Sequence, residues 1–241
     1  MVARLYWMRW TRMADFEKIT LLPMDEAIDY WRLRVPMSPD EYKALAAESK
    51  AKAFSSALAT SAHMVAQVYQ AIEDALSDGD TFEEFQDKTK DLFEKAGYEV
   101  KPYQVETLFL TVVQSSYNAG RWKQLTDPDI LEEFPYWEYD AVGDKRTRPS
   151  HMAMDGLVYP ANHPFWASWF PPNGFRCRCS VRARSASSVK RNGLTVQKDA
   201  PKLLPDEGFN HSPAAVWKPS FDSLPKPLAD RAERRLLEGP N

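Results

Sequence analysis

Residues 134–185 read FPYWEYDAVGDKRTRPSHMAMDGLVYPANHPFWASWFPPNGFRCRCSVRARS, and no other stretch of the chain says as much about its architecture. It contains both cysteines, Cys177 and Cys179, with His151, His163 and a dense group of arginines. It is too apolar for a linker and too rich in Pro and Gly for one long helix. Residues 136–142 alternate and carry β-formers, which predicts a strand. Gly143-Asp144 turns the chain, residues 149–155 predict one or two helical turns, and Gly156 stops them. Residues 157–159 predict a short strand, followed by a Pro- and Trp-rich loop over 160–174. Cys177, Cys179, Val181 and Ala183 then alternate with Arg176, Arg178, Arg182 and Arg184, which predicts a period-2 strand. One face of it is small and apolar; the other is a ladder of guanidinium groups.

Three chemistries compete for these residues. The first is metal binding. His151 and Asp155 stand four apart, on one face of a helix, and Cys177 and Cys179 share one face of a strand. Two thiolates, an imidazole and a carboxylate suit the tetrahedral site that zinc takes, with His163 as an alternative ligand. C-x-C is less diagnostic than C-x-x-C, and buried structural thiols are the competing reading. The second is catalysis. Asp144, Arg146, Arg148, His151 and Asp155 offer a base, an acid and anion-binding arginines, a set for DNA-processing or toxin-like chemistry. No nucleophile elbow, P-loop or H-E-x-x-H pattern accompanies it, so the chain reads as no enzyme and no catalytic residue is assigned. The third is fold maintenance and docking. Arg146 and Arg148 would bond the loop backbone, with Trp166, Trp169, Phe170 and Phe175 around Pro171-Pro172 as the core of a small module. This reading explains the most residues with the fewest assumptions.

Upstream, the pattern is helical. After Pro23, Ala27, Ile28 and Trp31 share one face of a short helix that Pro36 ends. Ser38-Pro39-Asp40-Glu41 is an N-cap and capping-box signature. It opens an apolar period that predicts a long helix, with room for a break, running to Asp78-Gly79. His63 lies within it as an ordinary helical histidine. Thr81 and Glu84 open a second amphipathic helix closed by Gly97. A third runs from Pro102 to about Leu125, with Gly120 marking a close approach or a frayed end. Beyond Ser185 the sequence turns polar and proline-punctuated, and a short amphipathic helix over 228–237 closes it.

The 241-residue chain therefore reads as α+β: a helical N-terminal bundle, a small β-containing module and an extended C-terminal tail. The expected divisions are an arm over 1–23, a helical region over 24–126, the module over 127–205 and a tail over 206–241. Net charge is −3, too small for a general polyanion binder. Between residues 142 and 194, however, nine Lys/Arg stand against Asp144 and Asp155, a local +7 that leaves −10 elsewhere. A basic module on an acidic scaffold suits contact with nucleic acid or an acidic protein surface. Arg176, Arg178, Arg182, Arg184, Lys190 and Arg191 are the candidate contacts. No run approaches a membrane span, the first residues make a poor signal peptide, and the two thiols read as reduced, so a cytoplasm-like compartment is expected.

The runs DKRTRPSH-x-A-x-DG-x-V, PFW and PPNGFRCRC-x-V occur in an order and spacing that resemble the phage Mu F-like head morphogenesis family. EAIDYWR, YNAGR and FPYWEYDAVGD extend the resemblance upstream, and LPDEGFNHSP extends it downstream, so that it covers about residues 24–214. Its signature positions here are Asp144, Arg146, Arg148, His151, Asp155, Gly156, Trp166, Pro172, Gly174, Cys177 and Cys179. The resemblance implies a low-copy minor head protein of a tailed phage or prophage. Such a protein is found in the virion after assembly in the bacterial cytoplasm. It binds the portal protein and other capsid components, and works in capsid assembly and in the packaging or delivery of DNA. It implies no catalytic residues. Some members of that family carry further Cys/His residues around the equivalents of His151 and Cys177. This chain has no second C-x-x-C pair, so the zinc expectation rests chiefly on the spacing.

Overall fold

The computed structural model describes residues 24–45, 53–56, 58, 59, 61–95 and 100–210, with isolated positions between 226 and 234. The expected N-terminal arm and the Gly97 cap lie outside the described residues, as does nearly all of the expected helix over 228–237.

Most helices of the first half start where a side chain supplies a partner for a free amide; the first has no such cap. Helix α1 (Asp25–Arg32) has acids in its first turn and Arg32 in its last, matching its dipole, and buries Ala27, Ile28, Tyr30 and Trp31. In α2 (Pro39–Ala44) the expected capping box forms, with Ser38 accepting from the Glu41 amide and Glu41 accepting from that of Ser38. The Ser61 hydroxyl caps α3 (Ala62–Asp78), which stops at Gly79 with φ 78°. Thr81 and Glu84 exchange side-chain bonds with each other's amides to open α4 (Phe82–Lys95). Pro102 opens α5 (Pro102–Leu125).

The helix expected from residue 38 to 78, with room for a break, is interrupted by a strand. Strand β2 (Ala53–Phe54) interrupts it and pairs in parallel with β1 (Val35–Pro36). Phe54 turns edge-on to Trp31 at 4.8 Å between ring centroids, and Arg34 donates to the Ala53 carbonyl. Ser56 and Ser61 meanwhile take the amides of Leu58 and Met64. Hydroxyls that bond nearby amides compete with the helical ladder, so the apolar period alone overstates helix length here.

Ile28, Trp31, Val65, Val68, Ile72, Phe85, Phe109 and Val113 lie at the centre of the bundle core. Burying a large apolar side chain of this kind contributes about 1.5–3 kcal/mol over leaving it exposed. Gly120 lets α1 approach α5 closely: a Cβ there would meet the Ala27 amide nitrogen at 3.0 Å and Met24 Cε at 2.8 Å.

A second core belongs to the module. After α6 (Pro128–Glu133), strand β3 (Tyr136–Asp140) is the centre of an antiparallel sheet ordered β4-β3-β5, with β4 at Val158–Pro160 and β5 at Ser180–Arg184. Helix α7 (Pro149–Met152) lies between β3 and β4, and Gly156, expected to stop the helical turns, has a φ of 73°. The loop expected over 160–174 contains a helix, α8 (Phe165–Trp169), whose Trp166 and Trp169 are buried against Trp137 and Tyr139. Helix α9 (Ala186–Arg191) follows β5.

The predicted strand over 176–184 is also shorter than expected. Register pairs Asp140, the last residue of β3, with Ser180, so the sheet ladder stops there. Arg176 adopts φ 56°, and the backbone around it bonds to α5 instead: the Arg176 amide donates to Thr111 Oγ1, and Gln114 Nε2 donates to the Cys179 carbonyl. Burial still alternates, with Cys177, Cys179 and Val181 inside. Residues 194–209 run back over the module as a strap. Val196 bridges Val158, while the carbonyls of Leu203 and Asp199 accept from Trp169 and Tyr159. Asp206 and Phe209 continue these contacts, with Phe209 set edge-on to Phe175.

A buried histidine–dithiol centre with an arginine rim

Helix α7 buries His151 on its inner side, facing the two cysteines that precede β5. His151 Nδ1 lies 3.7 Å from Cys177 Sγ and 3.6 Å from Cys179 Sγ. The three ligand-type atoms all fall within 4.8 Å of one another, and all three residues are buried. His151 Nε2 has no hydrogen-bond partner among the described residues. Contact with Cys179, helped by His151, draws the Cys177 thiol well down against the opposing effect of burial; the Cys177 sulfur, and burial after it, push Cys179 up. The pair thus favours one thiolate and one thiol.

The other two expected ligands are elsewhere. Helix α7 ends at Met152, so the four-residue spacing does not carry Asp155 to the face of His151; its carboxylate accepts from the Ala141 amide at 2.8 Å instead. His163 stacks on Tyr159 and bonds the Lys198 carbonyl. The proposed four-ligand set is therefore corrected to three. A shell that the spacing argument missed surrounds them. Tyr139 donates to Asn173 Oδ1 at 2.8 Å, and burial, with the neighbouring Cys179 sulfur, holds its phenol protonated. The Asn173 amide group also donates to the Ser168 carbonyl. Asn173 sits in the quoted PPNGF run, which was the available signal.

A small pocket of about 10 Å³, close to the space one water needs, opens beside the three residues. Arg146, Arg148, Arg176 and Arg178 line it with Thr147. These guanidiniums are engaged within the chain. Arg178 pairs with Asp144 at 2.6 Å, Arg176 with Glu106 at 2.6 Å, and Arg148 with Asp206 at 2.9 Å while also donating to the Phe175 carbonyl. The Arg178 contact holds the Asp144 carboxyl well below its ordinary range. Further along the ladder, Arg182 pairs with Asp140 and Arg184 with Glu138. Gly174 leaves room for the Arg148–Asp206 pair, since a Cβ there would overlap the Asp206 carboxylate. Trp166 donates to the Pro160 carbonyl, and Pro172 follows a cis peptide bond. Lys190 and Arg191 stand exposed at the end of α9, outside the ion pairs formed among the described residues. Of the acid, base and arginine set read as a catalytic alternative, His151, Arg146 and Arg148 line this pocket, whereas Asp155 accepts from the Ala141 amide and Asp144 pairs with Arg178.

Residues 66–182, from within α3 to β5, match the family model described as Phage Mu protein F like protein. Protein F of Escherichia phage Mu, which carries a capsid-assembly name, is 31% identical over 227 residues, covering 86% of this chain and 51% of the relative. The chain belongs to the Mu F-like family. The Mu-like prophage FluMu F protein of Haemophilus influenzae is 32% identical over 204 residues, covering 79% of this Mu F-like chain and 49% of the relative. The chain spans about half the length of both these curated relatives. No solved structure matches it. Among the described residues, no helix of this Mu F-like chain is long and apolar enough to cross a membrane.

Proposed function

We propose that this chain is a minor head component of a Mu-like phage or prophage, incorporated into the virion at low copy and acting in head morphogenesis. The observation that carries the reading is the similarity to the capsid-assembly-named protein F of phage Mu over 86% of this chain. We further infer that it docks at the portal vertex and takes part in packaging or delivering DNA. The basic balance of residues 142–194 supports the DNA part, reduced by the four arginines in it that pair with Glu106, Asp206, Asp140 and Glu138. Because the rim arginines and those of β5 already hold carboxylates, the exposed Lys190 and Arg191 are the side chains best placed to meet phosphate.

The test is crosslinking mass spectrometry on purified particles and procapsids from a lysogen that expresses the tagged chain. The expected result is low-copy incorporation with crosslinks to the portal protein. Absence from both kinds of particle overturns the head-component reading. Incorporation with crosslinks only to other capsid proteins overturns the portal placement and leaves the assembly role.

A further inference from the structure

We infer that Cys177, Cys179 and His151 Nδ1 form a binding site for a zinc-class divalent cation, with the fourth position facing the pocket they line. The inference is independent of the assembly role and begins with distance. Zinc holds nitrogen at about 2.0–2.1 Å and sulfur at about 2.3 Å, so tetrahedral geometry sets a bound nitrogen and sulfur about 3.6 Å apart. The two observed separations are 3.6 and 3.7 Å.

A thiol–imidazole hydrogen bond is the competing account. Nδ1 has a single lone pair, or a single proton, and a bond shared between two sulfurs is weaker than one aimed at either. Both sulfurs nevertheless stand at the same range, as they would around a shared central cation. The three residues are all buried, and their ligand-type atoms all fall within 4.8 Å of one another.

Donor type narrows the cation. Two sulfurs and one imidazole suit zinc and disfavour magnesium and calcium, which take oxygen. Charge agrees, because two thiolates and a neutral imidazole around a dication sum to zero. That balance suits a centre whose three residues are all buried and whose neighbouring arginines are already paired. The pocket of about 10 Å³ has room for one water as the fourth ligand. Such a site would tie α7 to the segment leading into β5, where the sheet ladder has stopped.

The full chain is purified under reducing conditions without added metal or metal-affinity resin, and its metal content is measured by mass spectrometry. Metal is then removed with a chelator and cobalt(II) chloride is titrated in. The expected result is close to one zinc per chain as purified. After chelation, cobalt should produce sulfur-to-metal charge-transfer absorption with intense tetrahedral d–d bands. His163→Ala should leave the bands unchanged, whereas Cys177→Ser and Cys179→Ser should each abolish or strongly weaken them. A wild-type chain that is metal-free as purified and shows no charge-transfer band with cobalt overturns the inference, whether or not the variants fold. So does a folded Cys177→Ser/Cys179→Ser double variant that retains one equivalent of zinc.

Discussion

Asn173 is wholly buried, yet both ends of its amide are used, one by the Tyr139 hydroxyl and the other by the Ser168 carbonyl. Removing it leaves the phenol of Tyr139 in a buried place with its proton unmatched. Asn173→Ala is therefore expected to destabilise the fold by about 1–3 kcal/mol, the cost of one unsatisfied buried polar group, measurable by chemical denaturation. An effect below a few tenths of a kcal/mol would show that Tyr139 finds another acceptor. The same scale separates legible from illegible site residues. Cys177, Cys179 and His151 were visible as a donor set because their side chains have few other uses together. Asp155 looked like a member because a four-residue spacing was read as helix; the structure ends α7 at Met152 and turns that carboxylate to the Ala141 amide. Tyr139 and Asn173 pair across 34 positions of sequence, and no local pattern records that meeting.

Three helices in this chain start where the sequence says they start, because caps are local chemistry. Ser38 with Glu41, Thr81 with Glu84 and Pro102 each open a helix where expected. Their ends and interruptions depend on partners. The break between α2 and α3 is set by the contact of Phe54 with Trp31, and the late start of β5 by the end of β3 at Asp140 and by bonds to α5. Gly120 was readable as a point of close approach, but its partner, α1, was not. On helix propensity alone, Gly120→Ala would gain about 1 kcal/mol. The Ala27 amide nitrogen stands 3.0 Å from where the Cβ would be, and backbone cannot swing aside as a side chain can. Gly120→Ala is expected to lower stability, and Gly120→Val to lower it further, by about 1–3 kcal/mol, the usual cost of overpacking. A stabilised Gly120→Ala in thermal denaturation would show that α1 yields more readily than its packing implies.

Across the whole molecule, α5 joins two cores. Val105, Phe109, Val112 and Val113 face the bundle, while Trp122 and Leu125 on the same helix face the module. Arg176 pairing with Glu106, and the bonds from Thr111 and Gln114 to the segment before β5, tie the same helix to the dithiol centre. Bundle and module are accordingly expected to unfold together. Helix content by circular dichroism and fluorescence from Trp122, Trp137, Trp166 and Trp169 should trace one coincident transition in urea. Two resolved transitions would mean that α5 divides between independent units. The α+β class, the capped helix starts, the basic module and the Mu F-like signature followed from sequence alone, because periodicity, caps, charge and motif order are properties of the chain itself. Only tertiary structure decided which arginines were occupied by carboxylates, where the long helix broke, that residues 194–209 strap the module, and that two thiols and one imidazole meet at matched distances. Each of these depends on groups far apart in sequence meeting in space, and local pattern carries no record of such meetings.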